Sequence, residues 1–230
     1  SRVFDRLLVD IVSGHHASGA RLLAERELAL SLGASRPTVR EAIKRLGELK
    51  LIEVRRGSGI VVRDRSEWSF GVLPAYLRHG PGAQTPQALA RLVRDLLALR
   101  QSLFVNMLRF VGERLAPGSL GAARQAVRDA WAQRADHRAF LRLDFRVLRT
   151  VATSADFSPA VWLLNDFWDV YHELAGTISQ STTVPDDYVD AYDATFDALE
   201  QGNLDSACRR MTAYFERHDR RLLSALGILS

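Results

Sequence analysis

From Thr85 onward the sustained signal in this chain is the recurrence of apolar residues at three- and four-residue intervals over long segments, which marks packed helices. Proline, glycine and asparagine mark the boundaries. Thr85-Pro86 opens a long helix that runs to about Leu115, where Pro117-Gly118 stops it. Helices are expected at about 119–134, 136–154 and 158–179. Pro185 opens another that closes at Gly202, and Asn203 caps a last one reaching about 226. Six helices joined by short loops make an α-helical bundle.

The first third reads differently. Val3, Leu7, Leu8, Ile11 and Val12 have helical spacing over 3–13, and Ser13-Gly14 closes that helix. A second helix fits 24–32, with Leu28 and Leu30 expected to face inward and Leu32-Gly33 ending it. A third starts after Ala34-Ser35 and runs to about Leu49. Ser35 is a good cap there, and Pro37 is tolerated in the first turn, where its missing N–H has no intrahelical partner. Leu51-Ile52-Glu53-Val54 and Gly59-Ile60-Val61-Val62 read as two short strands joined by Arg55-Arg56-Gly57-Ser58 as a hairpin tip. Helix, helix, helix, hairpin is the layout of a winged helix-turn-helix. The fold class expected is therefore mainly α: a winged helix-turn-helix at 1–64, a linker with a short helix at 65–84, and an all-α bundle at 85–230.

Charge follows the same division. Residues 1–70 carry 13 Lys/Arg against 9 Asp/Glu, and the rest carries 18 of each, so the whole excess of +4 lies in the first third. That asymmetry suits a nucleic-acid-binding module joined to a neutral one. From Thr150 to Cys208 there are eleven Asp/Glu and no Lys or Arg, read as a solvated acidic surface. The single cysteine, Cys208, excludes an internal disulfide and a cysteine-based zinc site. No apolar run is long enough for a membrane span, and the opening residues lack the apolar core of a secretion signal. The expected location is the cytoplasm, without membrane contact.

The stretch Ala24-Glu25-Arg26-Glu27-Leu28-Ala29, Leu32-Gly33-Ala34-Ser35-Arg36-Pro37-Thr38-Val39-Arg40-Glu41-Ala42, with Gly57-Ser58-Gly59-Ile60-Val61-Val62 after it, closely resembles the signature of the GntR family of bacterial transcription factors. Leu23-Ala24 departs from it, standing where the family usually has a proline before the acidic–arginine pair. A recognition helix presents its N-terminal residues to base edges while flanking donors grip phosphates. Arg36 and Arg40 lie one turn apart, and either could fork onto a guanine. Ser35, Thr38 and Lys44 suit phosphate. Arg26 is a phosphate or base contact by family analogy. Gly57 would let the wing approach the minor groove with Arg56 and Ser58 beside it.

An all-helical second domain implies the FadR branch of that family. Leu96-Leu97 with Arg100, Ala139-Phe140, Leu143-Asp144-Phe145, Arg149 and Leu164-Asn165 are similar to its fatty-acid-responsive members, as is the linker containing Trp68. Polar groups stand on faces that should be apolar: Arg100, Asp144, Tyr171, Tyr192 and His218, on five helices. They suggest an apolar pocket with a few polar anchors. The competing reading is an Arg100–Asp144 ion pair with core tyrosines bonded locally.

Many relatives hold a metal with one aspartate and three histidines. Asp144 and His218 match two of those positions, whereas Leu148 and the pair Tyr192-Asp193 stand at the others, so neither metal nor other cofactor is expected. The resemblance implies a homodimer on palindromic double-stranded DNA whose small-molecule effector is a long-chain acyl-CoA or a fatty acid. The alternative is a small carboxylate metabolite, with or without a bound metal. Arg217, Arg220 and Arg221 could attract phosphates or form a solvated face. No nucleotide-binding or hydrolase motif is present, so no catalytic residue and no enzyme activity are expected.

Overall fold

A computed structural model describes residues 2–55, 59–83, 85–116, 118–178 and 184–225, with the side chains of 83, 137, 169, 171–178 and 225 outside the description. The chain divides into two compact units, Ser1–Leu89 and Ala90–Ser230. It is mainly helical, with a winged helix-turn-helix in the first unit and an all-helical second unit.

In the first unit α1 (Arg2–Val12), α2 (Glu25–Ser31) and α3 (Arg36–Glu48) surround one apolar core together with a three-stranded antiparallel sheet. Strands β2 (Ile52–Arg55) and β3 (Gly59–Val62) pair as Ile52↔Val62 through Arg55↔Gly59. A third strand, β1 (Arg21–Leu22), pairs with β3 at Arg21↔Val61 and Leu22↔Ile60. The sequence reading missed β1, because two residues carry no period.

The helix ends are fixed by local chemistry. Leu28 is 5% exposed and Leu30 76%, which corrects the expectation that both face inward. Residues two positions apart on a helix point about 160° away from each other, so only one of them can face the core. After α2 the chain turns through Gly33 at φ +60, where Gly33 N–H reaches Leu30 O and Ala34 N–H reaches Ala29 O. After α3 the same turn recurs with Lys50 at φ 57 and Leu51 N–H bonded to Leu46 O. In place of the family's proline, Ala24 N–H donates to the Glu27 carboxylate at 3.2 Å, which is half of a capping box.

The segment read as a linker packs into this first unit. Val72 and Ala75 of α4 and its lead-in turn (α4, Leu73–His79) are buried in the core, with Trp68 and Tyr76 half-buried against it. Arg65 bonds the Tyr76 hydroxyl at 3.0 Å and lies over the Trp68 and Tyr76 rings. The chain then folds tightly around Tyr76: a Cβ at Gly82 would meet its hydroxyl at 2.3 Å.

The second unit is a bundle of α5 (Pro86–Gly112, whose first turn precedes the division), α6 (Gly121–Ala132), α7 (His137–Ser154), α8 (Ser158–Ile178), α9 (Tyr188–Glu200) and α10 (Leu204–Ala225). Asp136 caps α7 by accepting from Ala139 N–H at 3.0 Å. Arg124 on α6 ties down α9 through Asp193, Asp197 and Glu200 at 3.0, 2.7 and 3.1 Å. The six helices were expected with these boundaries to within a few residues at each end, which is where helices fray.

Candidate nucleic-acid interface and sensor site

Ser35 precedes α3 in an extended conformation, and its hydroxyl accepts from Thr38 N–H at 3.3 Å. The Ser35 and Thr38 hydroxyls also bond each other at 2.8 Å. Val39, Ala42, Ile43 and Leu46 turn into the core, which leaves the opposite face of α3 to solvent. Arg36, Arg40 and Lys44 stand on that exposed face, with Ser35 exposed at its start. The helix N-terminus adds its own partial positive charge to the same end.

Arg40 is not loose there. Its Nε and Nη2 both donate to Glu25 Oε2 at 3.2 Å, so α2 holds the guanidinium that α3 presents. This pair is exposed, so it orients more than it stabilises. Lys44 lies 4.0 Å from Glu48. Arg26 and Arg36 are exposed with no ion-pair partner among the described residues. Arg45 is turned the other way, its guanidinium 3.9 Å from the Phe4 ring centroid, and it belongs to the packing of α1 on α3. Arg56, Gly57 and Ser58 lie outside the described residues.

Inside the second unit Asp144, on the inner side of α7, accepts hydrogen bonds from Tyr188 and Tyr192 of α9 at 2.9 and 3.2 Å. Tyr188 and Tyr192 are one turn apart and 1% exposed. Burial, aided by the charge of Asp144, pushes the Tyr188 phenol far above its ordinary range, so it stays protonated and donates. The two rings lie 5.0 Å apart, with Phe140 5.0 Å from Tyr188 and Tyr214 6.0 Å from Tyr192. His218 stacks on Tyr214 at 6.1 Å and 1°.

Arg100 sits in the neighbouring layer. Its Nη2 pairs with Asp219 Oδ1 at 2.5 Å, and its guanidinium covers the Phe215 ring at 4.5 Å. Burial pushes the Asp219 carboxyl up from its ordinary value, and Arg100 opposes the shift. Phe104 bridges the layers, 5.5 Å from Phe215 and 6.4 Å from Tyr192. The structure thus gathers Arg100, Asp144, Tyr192 and His218 around one aromatic interior. The side chain of Tyr171 lies outside the described part.

Three residues of this interior escaped the sequence reading as polar members: Tyr188, Tyr214 and Asp219. Asp219 stood unremarked among Arg217, Arg220 and Arg221, yet it falls four residues after Phe215 and eight after Met211, on the buried stripe. A separate groove of about 460 Å³ opens on the outer side of α5 and α10, between Arg109, Asp205 and Cys208, and shares no residue with the aromatic interior.

One of the four metal-ligand positions that the family resemblance implies carries a side chain that cannot ligate. Leu148, one turn beyond Asp144, is buried and apolar. Asp144 is engaged by neutral phenols, and no group of three or more His, Cys, Asp or Glu is placed for a metal among the described residues.

The Arg100–Asp219 pair lies where removing one partner strands a charge away from water. Arg100→Leu or Asp219→Leu alone should cost about 3–5 kcal/mol, and the double variant clearly less than the sum. Urea unfolding of the three variants measures this. Additive losses would mean that the pair is not coupled.

Residues 1–62 match the family described as bacterial regulatory proteins, gntR family, and residues 95–217 match the FCD domain. The HTH-type transcriptional regulator Mce2R of Mycobacterium tuberculosis is 33% identical over 180 residues, 76% of this chain and 63% of that protein. The galactonate operon transcriptional repressor of Escherichia coli is 27% identical over 157 residues, 65% of this chain and 66% of that protein. The chain therefore spans somewhat less than two thirds of the length of these relatives. Among solved structures, the fold resembles that of Lar, described as controlling the agr system of Listeria monocytogenes, with TM-score 0.61 and 15% identity over 97% of this chain and 95% of that one. It also resembles Escherichia coli McbR/YncC, with TM-score 0.51 and 14% identity over 97% of this chain and 96% of that one. With a gntR-type winged helix followed by an FCD domain that covers more than half of its length, the chain belongs to the GntR family, in the group that carries an FCD domain.

Proposed function

We propose that this chain is a ligand-responsive, DNA-binding transcriptional regulator that acts in the cytoplasm as a homodimer on a palindromic operator. The observation that carries the reading is the solvent face of α3, where Arg36 and Arg40 stand one turn apart behind a serine-capped helix N-terminus. In this reading Arg36 and Arg40 meet base edges, while Ser35, Thr38 and Lys44 take phosphates. Arg26 adds a contact from α2, and Arg56, Gly57 and Ser58 serve the wing in the minor groove. Glu25 holds Arg40 extended before DNA arrives, which lowers the ordering cost of the contact.

Dimerisation is supported by an apolar stripe left in solvent on the second unit. Leu99, Leu103 and Phe110 follow one face of α5 and are 40%, 38% and 51% exposed; Trp162 and Leu163 of α8 are 67% and 46% exposed. Phe110 also meets Phe157, just before the start of α8, at 5.9 Å. Exposed apolar residues following one helix face suit a self-complementary interface.

The effector reading rests on the aromatic interior with its few polar anchors, Arg100, Asp144, Tyr192 and His218, with Tyr171 as a fifth. Such an interior favours a long-chain acyl-CoA or fatty acid, since each buried methylene contributes about 0.8 kcal/mol. A second reading, a small carboxylate bound without metal, is favoured by the Arg100 guanidinium and by the galactonate operon repressor among the relatives. Ligand binding would shift the relative placement of the paired DNA-reading heads and lower operator affinity.

Arg36→Ala and Arg40→Ala are each expected to weaken operator binding by about 1–3 kcal/mol in a titration at fixed salt. Unchanged affinity in both removes α3 as the reading helix. Leu103→Glu combined with Trp162→Glu should give a monomer in light scattering, and a persisting dimer would move the interface elsewhere. Titrating long-chain acyl-CoAs, fatty acids and small carboxylates against the melting temperature tests the effector. Saturation well above Kd stabilises by about 2–4 kcal/mol, a rise of several degrees. A rise with small acids alone selects the second reading.

A further inference from the structure

The outer face of α7 carries a feature that neither the winged helix nor the aromatic interior uses. Arg138, Arg142, Arg146 and Arg149 follow one another at intervals of four, four and three residues, and all four are exposed. At 3.6 residues per turn they fall within an arc of about 80° and extend about 16 Å along the axis. The same arc contains Thr153 and no other residue of the helix. None of the four guanidinium groups has an ion pair or hydrogen bond among the described residues.

The arrangement works against the helix that bears it. Like charges one turn apart repel. Cations in the first half of a helix also oppose its dipole, and α7 has no acidic residue in its first turn and no basic one in its last. The carboxylates of α9 and of the turn before it have their own partners: Asp193, Asp197 and Glu200 hold Arg124, and Asp187 holds Arg217 at 2.7 Å. The ridge has no counter-charge among the described residues, and in sequence it is followed by a region, Thr150 to Cys208, that has eleven acids and no Lys or Arg.

We infer that the α7 ridge is a second contact for the phosphate backbone of duplex DNA, independent of base sequence. The inference rests on the DNA-binding reading above. Four guanidinia in a row over about 16 Å face a strand that carries one phosphate per about 3.4 Å of helix axis, so each can find its own phosphate. A chain whose head already holds DNA also keeps phosphates at high local concentration around its other surfaces. An acidic protein surface or an anionic membrane presents the same charge. DNA is favoured because the chain belongs to a DNA-binding family and the ridge has no apolar residue in its arc to enter a bilayer.

The test uses the full chain and a random-sequence duplex of a few helical turns, with binding followed by anisotropy across a range of salt. Arg138→Gln, Arg142→Gln, Arg146→Gln and Arg149→Gln together should lower the slope of log K against log salt by about 3.6. Each single variant should lower it by about 0.9, so the result does not depend on one quadruple variant folding. The same substitutions are made on a head disabled by Arg36→Ala and Arg40→Ala, where the remaining binding should fall further. An unchanged slope in both backgrounds overturns the ridge whatever the head does. Loss of binding to phosphatidylglycerol vesicles with DNA binding intact also overturns it, in favour of a membrane. If instead the head variant binds operator like the unaltered chain while the ridge variants still lose slope, the ridge stands and the recognition-helix reading fails.

Discussion

A carboxylate inside an aromatic bundle has to be given hydrogen bonds or a counter-charge, and the second unit meets that demand twice in different ways. Asp144 is answered by neutral donors, the hydroxyls of Tyr188 and Tyr192, which only a helix with tyrosines one turn apart could bring to one oxygen. Asp219 is answered by a charge, Arg100, which Phe215 supports from below. Each solution fixes a helix pair: α7 against α9, and α5 against α10. Phe104 then joins the two layers through Tyr192 and Phe215. A one-residue slip of any of these helices would strand a buried polar group, so the polar contacts set register where apolar packing alone tolerates alternatives.

That logic also explains what the sequence could and could not reveal. The head was legible because its signals are local: Ser35 and the turn at Gly33 act within four or five residues of themselves, and the family signature lies across them. Strand β1 was not, since Arg21 and Leu22 become a strand only through pairing with Val61 and Ile60. In the bundle, helical spacing correctly brought Asp144, Tyr192, His218 and Arg100 inward. It could not assign partners. The mate that the competing reading gave Arg100 was Asp144, whereas the ion pair is made with Asp219, 119 residues away. Spacing reports which way a side chain faces along its own helix, and pairing depends on how helices pack, which no periodicity encodes.

The segment after the wing shows the same limit. Pro, Gly and mixed polarity across 63–84 read as a linker, and the residues are indeed irregular. Yet Trp68, Val72, Ala75 and Tyr76 share the core of the winged helix, and Gly80 and Gly82 are small because Tyr76 occupies the space their side chains would need. Composition identifies a stretch that cannot be a long helix or strand. It does not say whether such a stretch is tethered. Here the first unit extends past its sheet, because these residues share its core.

Arginine illustrates why environment, and not residue type, carries function in this chain. Lys and Arg number 31, so a basic residue by itself says little. Arg45 covers Phe4, Arg65 fills the space between Trp68 and Tyr76, Arg100 balances a buried acid, and Arg124 gathers three carboxylates. In each of these a ring or a carboxylate within the molecule engages the charge, so packing and register are part of its role. Arg26, Arg36 and the four arginines of α7 differ in one respect only: nothing described within the chain answers them. An exposed guanidinium in water costs little, but a row of them on one face repels itself, and an arrangement that strains its own helix gains only when an anion outside the chain relieves it.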